Sequence, residues 1–149
     1  MSECAQEIER QNPDNPDKHS HFPGLRILVV DDNEASAKIL GWSLEILGHE
    51  IWIAHDGANA LAMALDLKPQ VVLMDINLSG LNGYELCRIM RSEYGFEQTL
   101  FIAQTGWGEA EHRRRSREAG FAWHLVKPVD MTRLEEVLNS YMRAHPSTG

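Results

Sequence analysis

Two stretches of this chain are apolar at every position and stop on a carboxylate. Ile27-Leu28-Val29-Val30 runs into Asp31-Asp32, and Val71-Val72-Leu73-Met74 runs into Asp75. A strand with one wet face alternates in polarity. A run that is apolar throughout is buried on both faces, which is the mark of an interior strand in a parallel sheet. Leu100 to Ala103, which ends at Thr105-Gly106, reads as a fourth strand, and Ala122 to Val126, which ends at Lys127-Pro128, as a fifth. Glu50 to Ala54 alternates instead, with Ile51 and Ile53 on one side, as an edge strand does.

Helical stripes lie between these runs. Ala37, Leu40, Leu44 and Leu47 recur at helical spacing before Gly48, and Ala58, Leu61, Ala62 and Leu65 do so before Pro69. Leu86, Ile89 and Met90 form a third stripe, and Leu134, Val137, Leu138 and Tyr141 a last one. The segment from Glu109 to Glu118 is nearly all charge; it suits a helix dipole but has little to bury, so it is expected to be the least firmly held helix. Strands alternating with helices predict an α/β fold with a doubly wound parallel sheet. A chain of 149 residues favours five strands in the order 2-1-3-4-5 over a longer dinucleotide-binding sheet.

In such sheets ligands bind outside the carboxyl ends of the strands, where the strand order reverses. Those ends carry Asp31 and Asp32, Asp75, Thr105 and Lys127. Carboxylates gathered there repel one another and call for a cation. Oxygen-only ligands on a short edge favour Mg²⁺, with Mn²⁺ as its expected substitute. A hydroxyl and an ammonium beside the metal suit a phosphoryl group, and the chemistry implied is phosphoryl transfer onto a carboxylate.

The remaining composition narrows the class. Fourteen Lys and Arg against 22 Asp and Glu give a net charge of −8, so direct nucleic-acid binding is not expected. Two cysteines, Cys4 and Cys87, make no disulfide framework. No apolar stretch has the ~20 residues of a membrane span, and the acidic start has no signal-peptide core, so a cytoplasmic protein is expected. Residues 1–24 read as a polar, flexible tail, 25–144 as one domain and 145–149 as a short C-terminal tail. His19 and His21 in the first tail are read as solvated.

Taken together, Val29-Val30-Asp31-Asp32-Asn33, Val72-Leu73-Met74-Asp75-Ile76-Asn77, Gln104-Thr105-Gly106 and Leu125-Val126-Lys127-Pro128 resemble the receiver domain of two-component response regulators. The stretch from Ala119 to Pro128 is similar to receivers associated with hybrid histidine kinases. The resemblance implies the flavodoxin-like receiver fold and a set of roles. Asp75 would be the phosphoacceptor. Asp32, Asp75 and the carbonyl of Asn77 would ligate Mg²⁺ directly, and Asp31 through water. Lys127 would pair with phosphoryl oxygens, Thr105 would move to bond one of them, and Gly106 would leave room for the acyl phosphate. The bond before Pro128 would be cis. His124 stands where the family has a rotating aromatic switch; a ring simply packed on the last strand is the equal alternative.

Trp107 is expected either to shield the aspartyl phosphate or only to pack on the neighbouring helix, and Asn77 to affect the phosphoryl lifetime. Ser79 stands where many relatives carry Pro, so a looser loop is expected there. The arginines from Arg113 to Arg117 read as a solvated helix face. Trp42, Trp52 and Trp123 read as core or edge packing, and nothing is read into His49, His55 or His112.

The function implied is a single-domain switch. It would take a phosphoryl group from a histidine kinase or histidine phosphotransfer protein and change protein contacts at its fourth helix, fifth strand and fifth helix, with a homodimer or another protein as output partner. Two other readings are a receiver-shaped docking module independent of phosphorylation and a receiver excised from a hybrid kinase. No catalysis beyond self-phosphotransfer and autodephosphorylation is expected. A phosphatase of the haloacid dehalogenase type needs an Asp where this chain has Asn77. An FMN carrier would not place Asp31 and Asp32 in its phosphate loop.

Overall fold

The computed structural model describes residues 24–78, 82–106 and 110–144, with side chains of the fourth helix from Arg114 onward. Residues 1–23 of the first tail and all of the last (145–149), with Cys4, His19 and His21, lie outside the described residues. So do Ser79, Trp107 and the side chains of His112 and Arg113.

Ten elements alternate: β1 (Arg26–Val30), α1 (Glu34–Ile46), β2 (Glu50–Ala54), α2 (Gly57–Leu67), β3 (Val71–Asp75), α3 (Gly83–Glu93), β4 (Leu100–Thr105), α4 (Ala110–Ala119), β5 (Trp123–Val126) and α5 (Met131–Ala144). All neighbouring strands are parallel and the order is 2-1-3-4-5. Leu28 pairs with Trp52 on one side and Val72 on the other, and Asp75 pairs with Gln104.

The apolar strands fill two cores. Ile27, Val29, Leu73 and Ile102 face α1 and α5, where they meet Leu40, Leu44, Leu134 and Leu138. Leu28, Val30, Val72, Met74 and Phe101 face the other way, onto Ala60, Ala64, Leu86, Met90 and Phe121. Each fully buried side chain of this kind contributes about 1.5–3 kcal/mol. Phe101 and Phe121 add an edge-to-face pair with ring centroids 6.2 Å apart.

Polar side chains start the helices. Asn33 Oδ1 accepts from Ser36 N at 2.9 Å to cap α1, Asp56 from Asn59 N at 2.8 Å to cap α2, and Asn82 from Glu85 N at 2.8 Å to cap α3. After α1, Gly48 takes φ +101°, and after α2, Lys68 takes the left-handed conformation ahead of Pro69.

Three expectations need correction. In α2 the inward residues are Gly57, Ala60 and Ala64, with Leu61 half-buried, whereas Ala58, Ala62 and Leu65 are exposed. Small side chains let this helix lie close to the sheet, so its buried stripe is not its bulkiest one. Leu47 caps α1 at the surface and does not extend its buried stripe, while Gly41 does, against Ile51 and Ile53. Trp42 is not packing in the core: it is 59% exposed, flanked by Ile39 at 62% and Ile46 at 83%, with Lys38 Nζ 5.7 Å from its ring centroid. Trp52 is half-buried against the core, and Trp123 is exposed under the Arg133 guanidinium, 5.3 Å from the ring centroid.

Candidate functional site

Four strand ends meet where β1 and β3 part toward opposite sides of the sheet. Asp31 follows β1 and Asp75 is the last residue of β3, and both are buried. Asp32, the next residue along, is exposed. One carboxylate oxygen from each of the three lies within 4.8 Å of the others. Lys127, just past β5, reaches across the edge. Its Nζ donates to Asp75 Oδ2 at 2.8 Å and to Asp31 Oδ2 at 3.1 Å.

The backbone locks both carboxylates in the same way. Asn33 N donates to Asp31 Oδ1 and Asn77 N to Asp75 Oδ1, each at 3.0 Å, so each Asp closes a turn two residues long as its strand ends. Asp31 N donates to Ala54 O at 3.0 Å and Ile76 N to Gln104 O at 3.0 Å, which extends the ladder past the strand ends. Lys127 N donates to Thr105 O at 2.7 Å, so the β5 terminus is tied to that of β4.

Electrostatics follow from this crowding. Burial pushes the Asp75 carboxyl above the usual range; hydrogen bonds from Lys127 and Asn77 pull it down, and Asp31 pushes it up again. For Lys127 burial works to lower the ammonium, but the hydrogen bonds and charges of Asp75 and Asp31 outweigh it and hold it above 10.5. The 2.8 and 3.1 Å contacts have the geometry of an ammonium shared between two carboxyl groups.

Of the other expected residues, Thr105 is buried at the end of β4. Gly106 follows it, exposed, and a Cβ there would meet nothing within 4 Å. Asn77 is exposed beside Asp75. The Lys127–Pro128 bond is cis. His124 is half-buried on β5, opposite Ala103 and two residue pairs below Thr105, and shares a 2.8 Å hydrogen bond through Nδ1 with Ser116 Oγ of α4.

Three groups near the site were not singled out by the sequence reading. His55 Nδ1 donates to the Asp31 carbonyl at 3.0 Å and so braces the first acidic turn from the β2 end. Gln104, beside Asp75 in register, is a buried polar residue in an apolar strand, and its Nε2 has no hydrogen-bond partner among the described residues. Gly83 opens α3 so close beneath Asp75 that a Cβ would lie 2.8 Å from the Asp75 carbonyl oxygen. Only Gln104 carried a signal in the sequence, an amide interrupting an apolar run.

Residues 27–139 match the family described as the response regulator receiver domain. The chain belongs to that family. Receivers are signalling domains of two-component systems. Among curated relatives, this receiver is 34% identical over 120 residues to the virulence sensor protein BvgS of Bordetella bronchiseptica, covering 77% of the chain but only 10% of that protein. It is 28% identical over 116 residues to the polar-differentiation response regulator DivK of Brucella anthropi, covering 78% of the chain and 94% of DivK. The chain thus spans about a tenth of the first relative and nearly all of the second. The solved chemotaxis response regulator CheY4 of Vibrio cholerae superposes with a TM-score of 0.73 at 25% identity, covering 79% of this chain and 98% of that one. Among the described residues, no helix is long and apolar enough to cross a membrane.

Proposed function

We propose that this receiver, taken as residues 25–144, accepts a phosphoryl group on Asp75 from a phosphohistidine of a histidine kinase or histidine phosphotransfer protein. A carboxylate oxygen of Asp75 attacks phosphorus, the P–N bond breaks, and the imidazole leaves with that electron pair. The observation that carries this reading is the single ammonium contact that bridges Asp31 and Asp75, at 3.1 and 2.8 Å, beside a third carboxylate. Lys127 is then positioned to follow the new phosphoryl oxygens as its carboxylate partner loses charge. Thr105, at the neighbouring strand end, supplies a hydroxyl donor to another of them, and Gly106 leaves the acyl phosphate unobstructed.

The donor set is all oxygen and tightly gathered, which fits Mg²⁺. Asp32, Asp75 and the Asn77 carbonyl would hold it directly and Asp31 through water. The ion, when bound, supplies charge neutralisation for the phosphoryl oxygens. Asn77, exposed beside Asp75, and Trp107, two residues past Thr105 in the sequence, modulate the phosphoryl lifetime. Output runs through α4, β5 and α5, where Trp123 and Val126 are exposed, and its partner is a protein or a second copy of the chain. The activity is self-phosphotransfer and autodephosphorylation, with no other substrate.

Intact-mass measurement after incubation with Mg²⁺ and acetyl phosphate tests this. One added phosphoryl group is expected, absent in Asp75→Asn and without Mg²⁺. No addition from either acetyl phosphate or a phosphohistidine protein would favour a docking module that works independently of phosphorylation.

A further inference from the structure

We propose that Ser116 is a positioning residue for the switch: its hydroxyl latches the His124 imidazole to α4 in the unphosphorylated protein and so opposes phosphorylation of Asp75. The inference rests on the phosphoacceptor reading above and adds a residue through which α4 acts on it.

Ser116 is 1% exposed, in a helix whose other described side chains, from Arg114 onward, bury only Ala119. Its Oγ and His124 Nδ1 are 2.8 Å apart. Its carbonyl accepts from Gly120 N at 3.2 Å and Phe121 N at 2.9 Å, so the same residue closes α4 and starts the turn into β5. Backbone and side chain of Ser116 therefore both grip the joint between the helix and the strand.

His124 projects on the sheet face opposite Leu125, the face of Ala103 and Thr105. Its partner in register is Ala103, two residues before Thr105 on the same strand face, so an inward turn of the ring along that face is a turn toward Thr105. Movement of Thr105 toward a phosphoryl oxygen clears that route. To take it, the ring gives up Ser116 and leaves a buried hydroxyl to find another partner. A bond made in one state only biases the equilibrium by its own net strength, and by reciprocity it weakens whatever ligand favours the other state.

Breaking the latch should therefore tighten binding of a phosphoryl mimic about two- to tenfold, the range of one net hydrogen bond. Beryllofluoride with Mg²⁺ can be titrated by tryptophan fluorescence into the wild type, Ser116→Ala, His124→Phe and the double variant. Ser116→Ala is expected to bind more tightly, with the gain absent in the His124→Phe background. The ¹⁵N resonance of His124 Nδ1 should shift when the wild type is saturated.

An unchanged or weaker affinity in Ser116→Ala, an equal effect in both backgrounds, or a resonance that stays put overturns the latch while leaving Asp75 as phosphoacceptor. A wild type that binds beryllofluoride no better than Asp75→Asn overturns both.

Discussion

Asp75 carries two conflicting demands. As the proposed phosphoacceptor it has to be ionised, yet burial penalises its charge more than Lys127 and Asn77 relieve it, so its folded pKa lies above 3.8. As pH rises past 3.8 the unfolded chain loses this proton first, so an ionised Asp75 costs the native state stability at neutral pH. Asp75→Asn is thus expected to melt a few degrees higher than the wild type at pH 7 without Mg²⁺. Added Mg²⁺ should narrow the gap, because it stabilises the carboxylate form alone. A calorimetric scan that finds the variant less stable in metal-free buffer would refute this account. Asp31, Asp32, Asp75, Thr105 and Lys127 were all legible in the sequence for one reason. Each ends an apolar run, and the ends of neighbouring parallel strands meet by construction. His55 and Gly83 were not, because what matters there is a carbonyl 3.0 Å from a ring nitrogen or 2.8 Å from a missing Cβ. No pattern of polarity encodes either distance.

Helices were read less well than strands, and α2 shows why. A stripe read from bulky residues assumes that size marks the buried side. Here the sheet is approached through Gly57, Ala60 and Ala64, and Leu65 is left outside. For α4 charge was the better guide. Ala119 and Ser116 are the buried residues among its described side chains, and it is held by the Ser116–His124 bond and by the Arg115 guanidinium 4.5 Å from the Tyr84 ring centroid. By contrast α5 buries Leu134, Val137 and Leu138 completely or nearly so. Hydrogen exchange is expected to show α4 amides with protection about tenfold or more below those of α5, since opening α4 exposes far less apolar surface. Equal protection in the two helices would mean that α4 is anchored by something other than these contacts. A helix held this lightly is the natural element to shift at low cost when the site changes charge.

The two ends of the sheet do different work. Its carboxyl edge concentrates charge, whereas its amino edge is a tight junction closed by a histidine. Gly24 passes so close to Gly48 that a Cβ would run into that carbonyl, and Leu25 N donates to His49 Nδ1 at 3.0 Å while Glu50 N donates to Leu25 O at 2.9 Å. His49 looked unremarkable in the sequence, one of seven histidines with no ligand spacing, because its role depends on a chain crossing 24 residues away. Burial lowers its pKa below 6.5, against a smaller pull upward from Glu135. The bond to Leu25 also needs Nδ1 unprotonated. Above pH 6.5 the ring is neutral in both native and unfolded chains, and its contribution is complete. Below 6.5 the unfolded chain takes up the proton and the buried ring does not, so stability falls until the pH passes the lowered native value. The wild type is therefore expected to lose melting temperature from pH 7 to pH 5 more steeply than His49→Gln, whose amide oxygen can still accept from Leu25 N without titrating. Parallel slopes for the two proteins across that window would show that the acid sensitivity arises at the carboxylate edge and not at this junction.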